Sequence, residues 1–133
     1  MKFAIGCAMS MLSFAALAAP EGTLSVHILN QQTGLPSPGV TVTLEKNSNG
    51  KWSAVAESKT DSDGRIKSLY PAAADMNPGV YKVTFHTGDY FNAEGKKTFF
   101  PEVPVIFSVT EKNQKLHIPL LLSQYGYSTY RGS

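Results

Sequence analysis

Few side chains in this sequence can move a proton near neutral pH or grip an anion. The histidines are His27 (SVHILN), His86 (VTFHTG) and His117 (KLHIPLL), and the arginines are Arg65 (SDGRIK) and Arg131 (TYRGS). A neutral imidazole, with an ordinary pKa of about 6.5, both accepts and hands on a proton at physiological pH. A guanidinium presents a planar fork of donors suited to anionic or carbonyl-rich ligands. The closing run SQYGYSTYRGS adds the phenol of Tyr130 and the hydroxyl of Ser133. A run so rich in Tyr and Gly is either a fraying end or part of a site. Spacing alone does not decide it, and on spacing alone His27, His117 and Arg65 also read as ordinary solvated residues. A metal site would want a third ligand, and nothing in the spacing joins His86 to the other two histidines, so none is expected. TDSDGR begins like a calcium loop but lacks the glutamate at its far end. It reads better as a tight strand-to-strand turn in which Gly64 supplies a positive φ. No G-x-S-x-G elbow, H-E-x-x-H helix or phosphate loop is present. Trp52 and the scattered tyrosines read as strand packing.

Two-residue alternation dominates the elements that must position these groups. TLSVHILN sets Leu24, Val26 and Ile28 against Ser25 and His27, and KLHIPLLL sets Leu116, Ile118, Leu120 and Leu122 against His117 and Pro119. GVTVTLEK, WSAVAES, VYKVTFH, EVPVIFSVT and YGYSTYR complete a set of seven or eight short strands. TGLPSPG, NSNGK, TDSDGR, AADMNPG and EKNQK carry the turn residues between them. The pattern predicts an antiparallel β-sandwich. GDYFNAEGKK breaks it and predicts one short helix, opened by Asp89 as N-cap and closed by Gly95. If the aliphatic rows meet in the core, His27 and His117 both lie on an outer sheet face.

MKFAIGCAMSMLSFAALAAP reads as a secretory signal peptide: Lys2, an apolar run, then small residues at Ala16 and Ala18. Cleavage after Ala18 leaves residues 19–133 as one domain in the periplasm. Cys7, the sole cysteine, falls inside the leader, so the mature chain has no disulfide and must rely on its core and on assembly. The formal charge of +2 falls to +1 without Lys2, so there is no basic excess to attract nucleic acid or an anionic membrane surface. A small molecule or another protein chain is the expected partner.

Two stretches carry a resemblance. VHILNQQTGLPSPGVTV, from Val26 to Val42, resembles the amino-terminal signature of the transthyretin family, and HIPLLLSQYGYSTYRGS, from His117 to Ser133, resembles its carboxy-terminal one. Together they span nearly the whole mature chain. The family holds hormone carriers and 5-hydroxyisourate hydrolases of urate degradation. Tyr130-Arg131-Gly132-Ser133 resembles the hydrolase hallmark that the carriers lack, and His27, Arg65 and His117 match the other hydrolase positions. Leu116 departs from the pattern, standing where the family commonly has an aromatic residue. The resemblance implies a transthyretin-like sandwich that opens the lactam ring of 5-hydroxyisourate. His27, Arg65, His117 and Ser133 would be catalytic, and His27, Arg65 and Tyr130 would hold substrate. It further implies no metal or cofactor, and a homotetramer with its sites at the dimer–dimer interface. The competing expectation is a non-enzymatic periplasmic binding module on the same sandwich.

Overall fold

The computed structural model describes residues 22–133. The expected signal peptide and its expected cut after Ala18 lie outside the described residues. The strands are β1 (Leu24–Asn30), β2 (Leu35–Pro36), β3 (Thr41–Ser48), β4 (Lys51–Lys59), β5 (Arg65–Ile66), β6 (Gly79–Phe85), β7 (Val103–Val109), β8 (Leu116–Leu122) and β9 (Tyr127–Thr129), with helix α1 (Thr87–Ala93) between β6 and β7. All seven long alternating segments form strands. The two extra strands, β2 and β5, are two residues each and too short for periodicity to reveal.

Two sheets pack face to face. One runs β2-β1-β8-β9, with β5 also pairing to β1; the other runs β4-β3-β6-β7. The aliphatic rows meet between them: Val26 and Ile28 of β1, Leu120 of β8, Val42 and Leu44 of β3, and Val83 and Phe85 of β6 are all 0% exposed. Each such side chain contributes roughly 1.5–3 kcal/mol, which is how the fold stands without a disulfide. Leu116 joins this core at 8% exposure, so its departure from the family pattern is absorbed in packing.

Among the described residues, every ladder is antiparallel except one. β1 and β8 pair in parallel, with Ser25 opposite His117 and His27 opposite Pro119. A parallel pair needs a long crossover, and here the whole second sheet is the crossover. The two histidine-bearing strands therefore become neighbours although 90 residues separate His27 from His117.

Local turn chemistry sets the register. Asn49 and Gly50, with φ of 54° and 81°, close the β3–β4 hairpin as a two-residue loop with both central residues left-handed. The TDSDGR segment is a turn and not an ion loop. Asp61 Oδ1 accepts from the Asp63 and Arg65 backbone N–H groups at 2.9 and 3.0 Å, and its carbonyl accepts from Gly64 N at 2.9 Å. Gly64 has φ of 70°, and a Cβ there would lie 2.6 Å from the Ile28 carbonyl oxygen. The Ile28 N–H donates to the Gly64 carbonyl at 2.9 Å, so this turn is fastened to β1.

Helix α1 starts earlier than its sequence suggests. His86 is the N-cap and makes no side-chain cap, while Asp89 lies in the first turn. The chain returning after the helix replaces the cap: Gly88 N donates to Pro101 O at 2.8 Å. Gly95 closes the helix as expected. Its N–H donates to Asn92 O at 3.0 Å, and Lys96 N donates to Phe91 O at 2.9 Å, the paired bonds of a Schellman motif.

Candidate functional site

The outer face of the β1–β8 sheet carries the groups singled out by type. Side chains of directly opposed residues share a face. His27 of β1 is opposed by Arg65 of β5 on one side and by Pro119 of β8 on the other. One step along β1, Ser25 opposes His117. Alternation thus sends His27, Ser25, Arg65 and His117 outward while Val26, Ile28, Ile118 and Leu120 fill the core. Both histidines are half-buried, and Arg65 likewise.

Electrostatics distinguish His27. Burial lowers its pKa below 6.5, and the nearby Arg65 guanidinium and then His117 lower it further. A hydrogen bond with the Asp63 main chain and the charge of Asp61 act in the opposite sense without overcoming them. The imidazole is therefore neutral at neutral pH, the form that can accept a proton.

His117 is held differently. Ser25 Oγ, on a residue only 5% exposed, lies 2.7 Å from His117 Nδ1. The last residue of β9 and the chain after it fold back over the same strand. Thr129 Oγ1 donates to Pro119 O at 2.8 Å, and Gly132 N donates to His117 O at 2.9 Å. The closing run is therefore tied to β8 by hydrogen bonds and is no loose end.

The folded-back run creates two clefts that share His117. One, of about 450 Å³, is lined by Ser25, Lys115, His117, Arg131, Gly132 and Ser133. The other, of about 300 Å³, opens toward β7 between Val105, Phe107, His117 and Tyr130. Ser133 and Tyr130 thus approach His117 from different sides. His27 and Arg65 line neither cleft and face outward beside them. The larger cleft is the more relevant to hydrolysis, because it joins polar donors to the outer face.

His86 stands apart. It contacts Thr43 Oγ1 at 3.3 Å and Glu102 Oε1 at 3.7 Å on the opposite sheet, and no cluster of metal-binding side chains forms among the described residues. Trp52 is on that opposite sheet too, under Lys82 Nζ at 4.4 Å from the ring centroid. The groups that sequence reading missed are Ser25 and Gly132. Ser25 shares the histidine face by alternation, but its meeting with His117 depends on the parallel pairing, which carries no local signal.

Comparison with known proteins places the sequence and the fold in one family. The sequence model described as the HIUase/Transthyretin family matches residues 24–132. A 5-hydroxyisourate hydrolase of Salmonella dublin is 56% identical over 118 residues, spanning 89% of this chain and 86% of that protein. The structure of Klebsiella pneumoniae 5-hydroxyisourate hydrolase superposes with a TM-score of 0.73 at 36% identity, over 83% of this chain and 97% of that one. Sea bream transthyretin, solved in complex with thyroxine, superposes with a TM-score of 0.76 at 29% identity, over 83% and 94% of the two chains.

Proposed function

Because the chain belongs to the HIUase/transthyretin family, we propose that it is a hydrolase of 5-hydroxyisourate. It adds water to the lactam carbonyl of the six-membered ring and yields 2-oxo-4-hydroxy-4-carboxy-5-ureidoimidazoline. The observation that carries this reading is the setting of a neutral His27 directly across from Arg65, on the outer face that also bears His117.

Ring opening needs a base for water, donors for the developing oxyanion and contacts that fix the planar substrate. His27 and His117 handle water activation and proton transfer. Arg65 grips ring carbonyls or steadies the oxyanion through its forked donors. Tyr130 contacts substrate, and the Ser133 hydroxyl hydrogen-bonds substrate or water. These residues supply every group the reaction needs, with no call on a metal or cofactor.

The working unit in this reading is a homotetramer, with the outer β1–β8 face forming a wall at the dimer–dimer interface. The outward aspect of His27 and Arg65, outside the two clefts of a single chain, supports it. The leader read at residues 1–18 directs the protein to the periplasm, where it begins at Ala19; the mass of the exported protein checks this.

The deciding experiment follows the ultraviolet absorbance of freshly generated 5-hydroxyisourate. The protein should accelerate its decay in proportion to enzyme concentration. A decay rate equal to the uncatalysed one, together with saturable ligand binding, would favour a non-enzymatic binding module.

A further inference from the structure

Arg65 sits on a strand of two residues, so the ladder alone gives it little hold. Strand β5 meets β1 at Val26↔Ile66 and His27↔Arg65. In an antiparallel ladder, pairs that exchange hydrogen bonds alternate with pairs that do not. Ile28 N donates to Gly64 O at 2.9 Å, so Ile28 and Gly64 occupy a bonded position. His27 and Arg65, one step along, are the unbonded pair. Side chains of an unbonded pair lie closer together, which brings the guanidinium to the imidazole. The Arg65 N–H and carbonyl then point away from β1 and need partners elsewhere.

Both partners are on Asp61. Its N–H donates to the Arg65 carbonyl at 2.8 Å, and its Oδ1 accepts from the Arg65 N–H at 3.0 Å. The same Oδ1 accepts from the Asp63 N–H at 2.9 Å, and the Asp61 carbonyl accepts from the Gly64 N–H at 2.9 Å. One residue thus gathers the main-chain groups of the whole turn. A carboxylate suits the place, because hydrogen bonds to an ionised acceptor are the stronger kind. The residue itself is exposed and lies outside the hydrophobic core.

We propose that Asp61 is a positioning residue, whose carboxylate holds the turn that sets Arg65 beside His27. This rests on the hydrolase reading above and deepens it. Asp61 touches no reacting atom and acts through the place it gives Arg65. Its charge is a separate influence: it raises the His27 pKa, whereas Arg65 lowers it by more. His117 of β8 and the Asp63 main chain are the other groups that act on His27. The two influences of Asp61 therefore have opposite signs at His27, and experiment can separate them. Loss of the charge alone moves the His27 titration to lower pH. Loss of the turn lets Arg65 move off and shifts it to higher pH.

The test compares the native, Asp61→Asn and Asp61→Ala proteins. Asparagine keeps the Oδ1 acceptor and makes the same turn without the charge; alanine loses both. Truncating an exposed side chain opens no core cavity, so both variants should fold. In Asp61→Ala, kcat/KM for 5-hydroxyisourate should fall by about 10- to 100-fold, because the guanidinium meets the ring out of place. Asp61→Asn should stay within about fivefold of native, since an exposed charge contributes little. The His27 signals, identified as those missing from a His27→Gln sample, should titrate at lower pH in Asp61→Asn and at higher pH in Asp61→Ala. In an Arg65→Gln background, Asp61→Ala should cost less than about threefold, because the guanidinium it positions is gone. Equal losses in the two single variants, with His27 shifted to lower pH in both, would reduce Asp61 to a charge and overturn the positioning role. Unchanged kcat/KM in Asp61→Ala, or a full further loss in the Arg65→Gln background, would overturn it as well. A native protein inactive on 5-hydroxyisourate would remove the hydrolase reading, while the His27 titrations would still judge the hold of Asp61 on Arg65 by themselves.

Discussion

At the scale of the residue, the pH behaviour of His27 separates the effects of its neighbours. Its pKa is lowered by burial first and by Arg65 second, so in the folded protein it takes up a proton at lower pH than in the unfolded chain. The activity that depends on neutral His27 should therefore persist below pH 6.5 and be lost as pH falls through the lowered value. Stability has the same sign. Between 6.5 and the folded value the unfolded chain binds more protons, so this contribution is complete above 6.5 and fades on acidification through the folded pKa. Arg65→Gln removes the second cause. The His27 ring should then titrate at higher pH by NMR, and the acid limb of the residual activity should move up with it. An unmoved titration curve would mean that Arg65 and His27 are not electrically coupled. The overall turnover of this variant should drop by about 100-fold or more if Arg65 is, as proposed, a donor to the ring carbonyls or the oxyanion.

At the scale of the element, the positions of these residues come from features of unequal visibility in the sequence. The faces of β1 and β8 were legible, since period-two alternation says directly that Ser25, His27 and His117 oppose the aliphatic rows. The TDSDGR turn was also legible through Gly64. The parallel pairing of β1 with β8 was not, because a crossover of many residues leaves no mark near either strand. Strand β5 was hidden for a different reason: two residues cannot display a period, and Arg65 is placed by the turn before it. The sequence points to Asp89 as the helix start, and the structure starts it at Thr87, because the acceptor that replaces the cap, Pro101 O, comes from a later segment. The Gly64 turn yields a direct test. Gly64→Ala must adopt φ near 70° and also push a methyl group toward the Ile28 carbonyl and the Ser37 N–H, 2.6 and 2.9 Å away. The left-handed conformation alone costs roughly 1–2 kcal/mol, and the contact adds to it. Urea unfolding should show that loss, and turnover should fall as Arg65 shifts from its place beside His27. An unchanged unfolding midpoint would show that the turn relaxes without cost.

At the scale of the whole molecule, the closing run converts a sheet face into a site. Residues 130–133 include exposed side chains, with Tyr130 58% exposed, and an exposed end ordinarily tolerates change. Yet the Gly132 N–H bonds the His117 carbonyl at 2.9 Å, and the run lines both clefts beside the imidazole. Two alterations probe whether this closure matters. Gly132→Ala keeps the length of the chain but sets a methyl group 2.6 Å from His117 Cδ2 and 3.0 Å from Pro119 Cγ, so either the ring or the run must give way. Deletion of residues 130–133 removes the run while sparing every core residue. Both proteins should keep a near-native unfolding midpoint, because the packed rows between the sheets are untouched. Both should lose about tenfold or more in turnover, the point substitution through a displaced imidazole and the deletion through lost substrate contacts. Light scattering on the same samples distinguishes a local effect from a failure to assemble. Loss of activity with the mass of the proposed tetramer retained places the fault at the site, and loss of both places it at the proposed interface. Full activity in both variants would reduce the closing run to an ornament on a site that needs only the two strands.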